Sequence, residues 1–321
     1  MTMTMTAESI APRVAFGETL VELADRYPDL LLLDGDLANS TRADILNQAR
    51  PDQFLEMGIA EQNLVGVAAG LATVGFMPWV SSFAAFIASR ALDQIRVVVA
   101  QPRLNVKLAG GYSGLLTGST GKTHQSVDDI AIFRAMPHMV VIAPADAVET
   151  RAAMFALMEY DGPAYLRLTR DPSPVITPRD RPFEIGRAYV LREGTDVSII
   201  ATGVQTVRAL EAAALLALDG VSTHVLHVPT IKPLDVTAIV RAAERTGRVI
   251  TAEDHSVIGG LGGAVAETLG EHCPTPLRRI GLRDVFGESG PNGPLLEKYG
   301  LTARHMADAA RVLATGATKT T

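Results

Sequence analysis

The sequence has a single cysteine, a single tryptophan and an aromatic share of only 5% across 321 residues. The lone Cys273 excludes a disulfide framework and suits a reducing cytoplasm. A basic excess is missing too: 29 Lys and Arg face 35 Asp and Glu, for a formal net charge of −6. Without a basic stripe, or basic residues interleaved with aromatics, no nucleic-acid partner is expected. Every apolar run is broken by Gly, Pro, Ser or a charge before it reaches the length of a bilayer span. A soluble protein with no membrane partner is expected. The opening Met-Thr repeat has no basic region followed by an apolar core, and it reads as a frayed start rather than a signal peptide.

What is there points to an α/β protein. At 321 residues the chain is long for one small core and fits two domains of ordinary size. A 47% apolar share with only 20% charged favours burial of some surface against another subunit. Val14, Phe16, Leu20, Val21, Leu23 and Ala24 recur at helical spacing and predict a helix over 12–27. Leu30 to Leu33 is the short continuous apolar run of a strand covered on both faces, and Asp34-Gly35-Asp36 stands at its end. Acids in that position often line the ligand crevice of an open sheet. The pattern then predicts an extended segment at 52–56, a helix at 60–74, a strand at 75–80 and a continuous helix at 83–98. Beyond it come a strand at 105–109, a helix at 128–134, a strand at 139–142, a helix at 147–159 and a strand at 164–168. Such alternation predicts a mostly parallel sheet. Gly110 to Thr123 form a Gly/Ser/Thr loop of a length that is usually functional in a compact domain, with His124 at its end.

Pro172, Pro174, Pro178 and Pro182, with interspersed charge, mark a linker at about 171–186 and divide the chain into domains 1–185 and 187–321. The second is also α/β, with strands at 196–203, 223–228 and 248–252, a helix at 206–218, and Gly259 to Gly263 opening another helix. Both domains are expected to hold a mostly parallel sheet flanked by helices. The glycine run has the wrong spacing for a dinucleotide fingerprint and reads as close backbone packing. Asp34-Gly35-Asp36 lacks downstream partners for Mg²⁺, so no metal site is expected in this chain.

One acid stands apart. Glu61 lies in an almost uncharged, glycine-studded apolar run from Glu56 to Gly75. Desolvation disfavours a charged carboxylate there, so it pairs, protonates or holds a ligand. By itself the residue reads as a helix cap or a solvent-facing acid. The segments Ser82-Phe83-Ala-Ala-Phe86 and Thr123-His124-Gln125 that follow place it in a cofactor pocket.

Gly58-Ile-Ala-Glu61-Gln-Asn, Ser82-Phe83-Ala-Ala-Phe86, Thr123-His124-Gln125, Leu168-Thr-Arg170, Phe286-Gly-Glu-Ser-Gly290 and Lys298-Tyr-Gly-Leu301 occur in this order. Together they resemble the C-terminal half of transketolase, as found in split, two-subunit transketolases. The resemblance covers nearly the whole chain and implies a pyrimidine-binding domain, then a transketolase C-terminal domain, in a thiamine diphosphate enzyme that transfers a two-carbon ketol unit. Glu61 resembles the glutamate that hydrogen-bonds N1′ of the aminopyrimidine and favours the tautomer that removes the thiazolium C2 proton. Phe83 and Phe86, three residues apart on one helical face, resemble the aromatic wall around that ring. Asp36 and Leu37 resemble residues on the thiazolium side. His124 resembles a substrate-facing histidine that handles protons on sugar hydroxyls or a developing alkoxide. Arg170 resembles the arginine that grips a sugar phosphate, and Arg13 and Ser40 stand near the family's other phosphate contacts.

Three positions depart from the family pattern. Ser89 replaces a Tyr, Tyr112 falls near an expected second active-site His, and Thr120 replaces an acid associated with reading the donor's hydroxyl stereochemistry. They point to an unusual ketose phosphate, such as a branched, deoxy or sulfo sugar. The family's diphosphate and Mg²⁺ motif, Gly-Asp-Gly followed by a distant Asn, has no match. A separate N-terminal subunit is therefore expected to hold Mg²⁺ and the diphosphate, in an α2β2 assembly with the cofactor between the two kinds of chain. Two alternatives remain at this point. One is the E1β subunit of a 2-oxo acid dehydrogenase, against which Thr123-His124-Gln125 and Phe286 to Gly290 argue. The other is a non-catalytic scaffolding paralogue, against which Glu61 and His124 argue.

Overall fold

The computed structural model describes residues 8–315, so the N-terminal Met-Thr repeat lies outside the described residues. The strands of the first half are β1 (Ser9–Ile10), β2 (Leu30–Asp34), β3 (Phe54–Glu56), β4 (Met77–Phe83), β5 (Lys107–Gly111), β6 (Val140–Ile142), β7 (Ala164–Arg167) and β8 (Ser173–Pro174). Those of the second half are β9 (Tyr189–Arg192), β10 (Val197–Ala201), β11 (Thr223–His227), β12 (Thr230–Lys232), β13 (Val249–Ser256) and β14 (Leu277–Leu282).

Besides the two-stranded pair of β1 with β8, two large sheets result among the described residues, one in the order β12-β6-β7-β5-β4-β2-β3 and one in the order β14-β13-β10-β11-β9. Each is parallel except at one edge, where β12 runs antiparallel to β6 and β9 antiparallel to β11. The fold is α/β with two mostly parallel sheets flanked by helices. Alternation along β2 sends Leu32 toward Phe16, Leu20 and Met154 on one side, and Leu33 toward Leu64, Val65 and Ala84 on the other. The second side is a core shared by both halves, since Leu226, Ile239 and Leu261 join the same apolar cluster.

Several boundaries differ from the sequence expectation. Residues 51–53 form a 3₁₀ turn begun by Pro51, which leaves only 54–56 as strand. β4 runs on through Phe83, and the helix expected to be continuous over 83–98 is broken into Ala84–Arg90, Leu92–Gln94 and a π-helical turn, Ile95–Ala100. Phe83 and Phe86 thus do not share a helical face: Phe83 closes the strand and caps the helix that carries Phe86. The proline-rich stretch is pinned in part, because β8 pairs with β1 and Asp146, the N-cap of the helix Ala147–Glu159, accepts from the backbone N–H of Ile176 and Thr177. β13 runs past the expected end at 252 to Ser256, so Glu253, Asp254 and His255 lie within it, all buried. Among the described residues no helix is long and apolar enough to cross a membrane.

Candidate active site

The parallel strands of the first sheet deliver their carboxyl ends to one crevice, where open α/β sheets place their ligands. β2 ends at Asp34, β3 at Glu56, β4 at Phe83 and β5 at Gly111. Glu61 enters the crevice as the first residue of the helix Glu61–Thr73 and is only 2% exposed. Two neighbours hold its carboxylate. Ser82 Oγ donates to Oε1 at 3.1 Å, and Arg90 Nη1 reaches Oε1 at 3.3 Å and Oε2 at 3.2 Å.

An aromatic cluster continues from there. The Arg90 guanidinium lies 3.9 Å from the Phe86 ring centre. Phe86 is 5.6 Å from Phe83, and both meet the His124 ring edge-on, at 5.3 and 5.8 Å. Phe83 stacks on Tyr112 at 4.1 Å. Tyr112 holds a left-handed backbone, φ 55°, where side chains other than glycine are strained. Two cations flank its ring: Arg13 at 5.7 Å and Arg170 at 5.4 Å from its centre. Arg13 Nη1 donates to the Ser40 carbonyl at 2.7 Å and to the Tyr112 hydroxyl at 3.3 Å, while Arg170 donates to Asp171. A line of groups therefore runs from a buried acid, along aromatic faces, to a pair of guanidiniums suited to a tetrahedral oxyanion.

The Gly-rich loop is closed at its neck by the hydrogen bond from Gly114 N–H to the Ser126 carbonyl. The C-terminal half covers it. Gln125 donates to the carbonyls of Leu115 and Glu288, and Asn292 donates to the Leu116 carbonyl and to Asp171. Gly118, at φ 49°, leaves no room for a side chain: a Cβ would lie 2.3 Å from Asn292 Oδ1 and 2.8 Å from the Gly290 carbonyl. The Phe286 to Gly290 motif is thus the clasp on the loop that carries His124.

Not every candidate converges. Thr120 is exposed and donates within its own turn, to Thr117. Asp36 is exposed on a left-handed residue, φ 66°, and its backbone N–H donates to Glu56. Leu37 is half-buried, and its N–H is held by Asp34. The buried acid of this turn is Asp34, whose Oδ2 has no hydrogen-bond partner among the described residues. The sequence marks both acids at the end of the apolar run, and the resemblance selected Asp36 rather than Asp34 for the site. Arg90 was missed as well, and nothing in its neighbourhood marks it out from a surface arginine.

Burial pushes the Asp34 carboxyl up to about 6, an effect that the Leu37 hydrogen bond offsets only in part. A value raised on folding means that the acid's contribution is fully present below about pH 4 and is lost as pH rises through about 6. Against wild type, the Asp34→Asn variant is therefore expected to gain on the order of 2 kcal/mol between about pH 4 and neutrality. Urea-unfolding midpoints taken across that range measure the gap. Parallel curves for the two proteins would contradict the assignment.

Family models for the transketolase pyrimidine-binding domain and the transketolase C-terminal domain match residues 8–174 and 186–306. The chain belongs to the transketolase family. Among its relatives is the 6-deoxy-6-sulfo-D-fructose transketolase subunit SqwH of Clostridium sp. (strain MSTE9), 45% identical over 93% of this chain and 92% of that one. An apulose-4-phosphate transketolase subunit of Phocaeicola vulgatus is 40% identical over 92% of this chain and 95% of its own. A solved split-gene transketolase, described as an inactive β4 tetramer, superposes with a TM-score of 0.88 at 47% identity, covering 96% of this chain and 99% of that one.

Transketolases depend on thiamine diphosphate, and this chain fits one half of that cofactor. A planar aminopyrimidine needs a buried hydrogen-bonding acid and aromatic faces, which Glu61, Phe83 and Phe86 supply. Among the described residues no three His, Cys, Asp or Glu side chains cluster as metal ligands.

Proposed function

We propose that this chain is the pyrimidine-side subunit of a two-subunit transketolase that moves a two-carbon ketol unit from a ketose phosphate, or a ketose with another terminal oxyanion, to an aldose. The observation that carries the proposal is Glu61, an acid 2% exposed at the strand ends beside an aromatic cluster. When bound, thiamine diphosphate supplies a nucleophilic carbon and an electron sink for two-carbon transfer. Glu61 holds the pyrimidine ring by a hydrogen bond and sets its protonation, while Phe83 and Phe86 exclude water from that bond and strengthen it. His124, braced by Thr123 Oγ1 on Nδ1 and by two aromatic edges, moves protons on the substrate hydroxyls. Arg13 and Arg170 bind the terminal oxyanion, and Tyr112 orients them. Asp36 and Leu37 line the thiazolium side, and Ser40 and Thr120 the substrate side.

A partner subunit carrying Mg²⁺ and the diphosphate site completes the assembly, as α2β2. The names of the two relatives, each a transketolase subunit, support this reading, as does the inactivity of the β4 assembly described for the split-gene structure. So does the outer face of the Glu61–Thr73 helix, where Gly66 and Gly70 face open space and Ile59 and Val74 at its ends are 72% and 71% exposed. Residues 1–185 and 187–321 are the two domains of the proposal. The sulfo-sugar and sugar-phosphate names of the relatives favour an unusual donor with a terminal oxyanion.

The test mixes the purified chain with a partner subunit, thiamine diphosphate, Mg²⁺ and a panel of ketoses and aldoses. Two-carbon transfer is expected from the mixture only. Full activity from this chain alone would overturn the two-subunit proposal, and acyl transfer to a lipoyl domain would move the chain to the 2-oxo acid dehydrogenases.

A further inference from the structure

The inference here rests on the reading of Glu61 and Phe86 as groups that hold an aminopyrimidine ring. Arg90, the last residue of the helix Ala84–Arg90, touches both. Its Nη1 lies 3.2 Å from Glu61 Oε2 and 3.3 Å from Oε1, and its guanidinium carbon lies 3.9 Å from the Phe86 ring centre. Ser82 donates to Oε1 alone, so among the described residues Arg90 is the sole donor to Oε2.

A guanidinium is a planar N–C–N unit with in-plane N–H donors and two π faces. An aminopyrimidine is likewise planar, with in-plane nitrogens at its edge and two π faces. One buried carboxylate and one ring face cannot serve both. We infer that Arg90 is a placeholder in the cofactor site: its guanidinium takes the Glu61 and Phe86 contacts that a bound aminopyrimidine ring uses, and it swings out to admit that ring.

The contact is built for exchange. Both N···O separations exceed the roughly 2.7–2.9 Å of a tight charge-assisted bond, and one nitrogen serves both oxygens instead of a two-pronged fork. The Glu61 side chain is 2% exposed but that of Arg90 is 47% exposed, so the cation sits at the mouth of the site. Beside it opens a groove of about 630 Å³ whose walls include Gln62, Ser89, Asp93 and Arg96. Ser89, where the family pattern has a Tyr, presents only a short side chain to that groove, and Asp93, paired with Arg96 at 2.8 Å, adds an acid to its wall. Until the ring enters, Arg90 keeps a buried carboxylate paired.

Competition of this kind lowers apparent affinity by the fraction of molecules in the closed arrangement. The probe is 4-amino-2-methylpyrimidine, the ring without diphosphate, which needs no partner subunit. Its binding to the full chain is followed by ligand-observed NMR, with thermal melts confirming that each variant is folded. Arg90→Ala is expected to bind it about tenfold or more tightly than wild type, Arg90→Lys to an intermediate degree, and Arg90→Ala with Glu61→Gln not at all. Equal binding by wild type and Arg90→Ala, lost in both on Glu61→Gln, would overturn the placeholder and leave the ring site standing. Weaker binding by Arg90→Ala would make Arg90 a ligand of the ring and overturn the inference. Binding by no variant, or binding indifferent to Glu61→Gln, would overturn the ring site itself.

Discussion

Glu61→Gln is expected to cut two-carbon transfer by the reconstituted pair of subunits at least about 100-fold, while changing the stability of the chain by about 1 kcal/mol or less in either direction. The two halves of that expectation come from one geometry. Glutamine keeps the length and shape of glutamate, and its carbonyl oxygen accepts the Ser82 hydroxyl that now donates to Oε1 at 3.1 Å. Its amide meets the half-exposed Arg90, which has room to turn away. The fold therefore loses an ion pair at the mouth of a crevice and little else. The lost property is the ability to share a proton with a ring bound against Phe83 and Phe86, which an amide cannot do, and no other carboxylate touches that aromatic cluster among the described contacts. Turnover and the thermal midpoint, measured on the same preparations, separate the roles. Turnover within a few-fold of wild type would remove Glu61 from the chemistry, and parallel losses of turnover and midpoint would make it structural.

What the sequence disclosed followed from how strongly each element constrains its residue types. Leu30 to Leu33 could be read as a strand because a central parallel strand must be apolar on both faces. Glu61 could be read as a site because a lone acid in that surrounding requires a reason, and the order of motifs supplied the family. Phe83 misled because Phe-Ala-Ala-Phe has helical spacing whether or not its first residue is helical. Asp34 and Asp36 are equivalent as letters. Only the pleat of β2 and the left-handed turn after it turn one into the core and the other to solvent. Three strands of the two large sheets left no readable pattern: β9 and β12 are four and three residues long, and Arg278 and Arg279 break the apolar alternation of β14. The stacking of Tyr112 between Phe83 and two arginines, and the clasp of Phe286 to Gly290 on the Gly-rich loop, join residues far apart in the chain, and local pattern carries no such information.

Arg167→Met is expected to destabilise the chain by about 3–5 kcal/mol at neutral pH, since it removes one partner of a buried ion pair and leaves the other. Arg167 at the end of β7 donates to both oxygens of Asp129, to the Ser126 carbonyl and to the Asp254 carbonyl, and its side chain is 4% exposed against 0% for Asp129. Burial by itself raises the Asp129 carboxyl, but the Arg167 guanidinium overcomes it and holds the group below its usual value. In wild type, then, the stability from this acid is present above about pH 4 and is lost only as pH falls through its lowered folded-state value. Without the arginine the burial effect is unopposed, the folded-state value rises above the ordinary one, and the contribution reverses: it is present at low pH and lost as pH rises. The gap between the two proteins should therefore widen from about pH 4 toward neutrality, as urea unfolding would read it. Pairing Arg167→Met with Asp129→Leu should close most of it, because two apolar groups replace two charges. A gap below about 1 kcal/mol, or one independent of pH, would contradict the assignment. The loss reaches the site because Ser126 closes the neck of the Gly-rich loop and Asp254 Oδ1 accepts from the Leu115 N–H inside it. With both supports loosened, His124 loses its fixed place against Phe83 and Phe86, so the same variant is expected to lose turnover at temperatures where it is still folded.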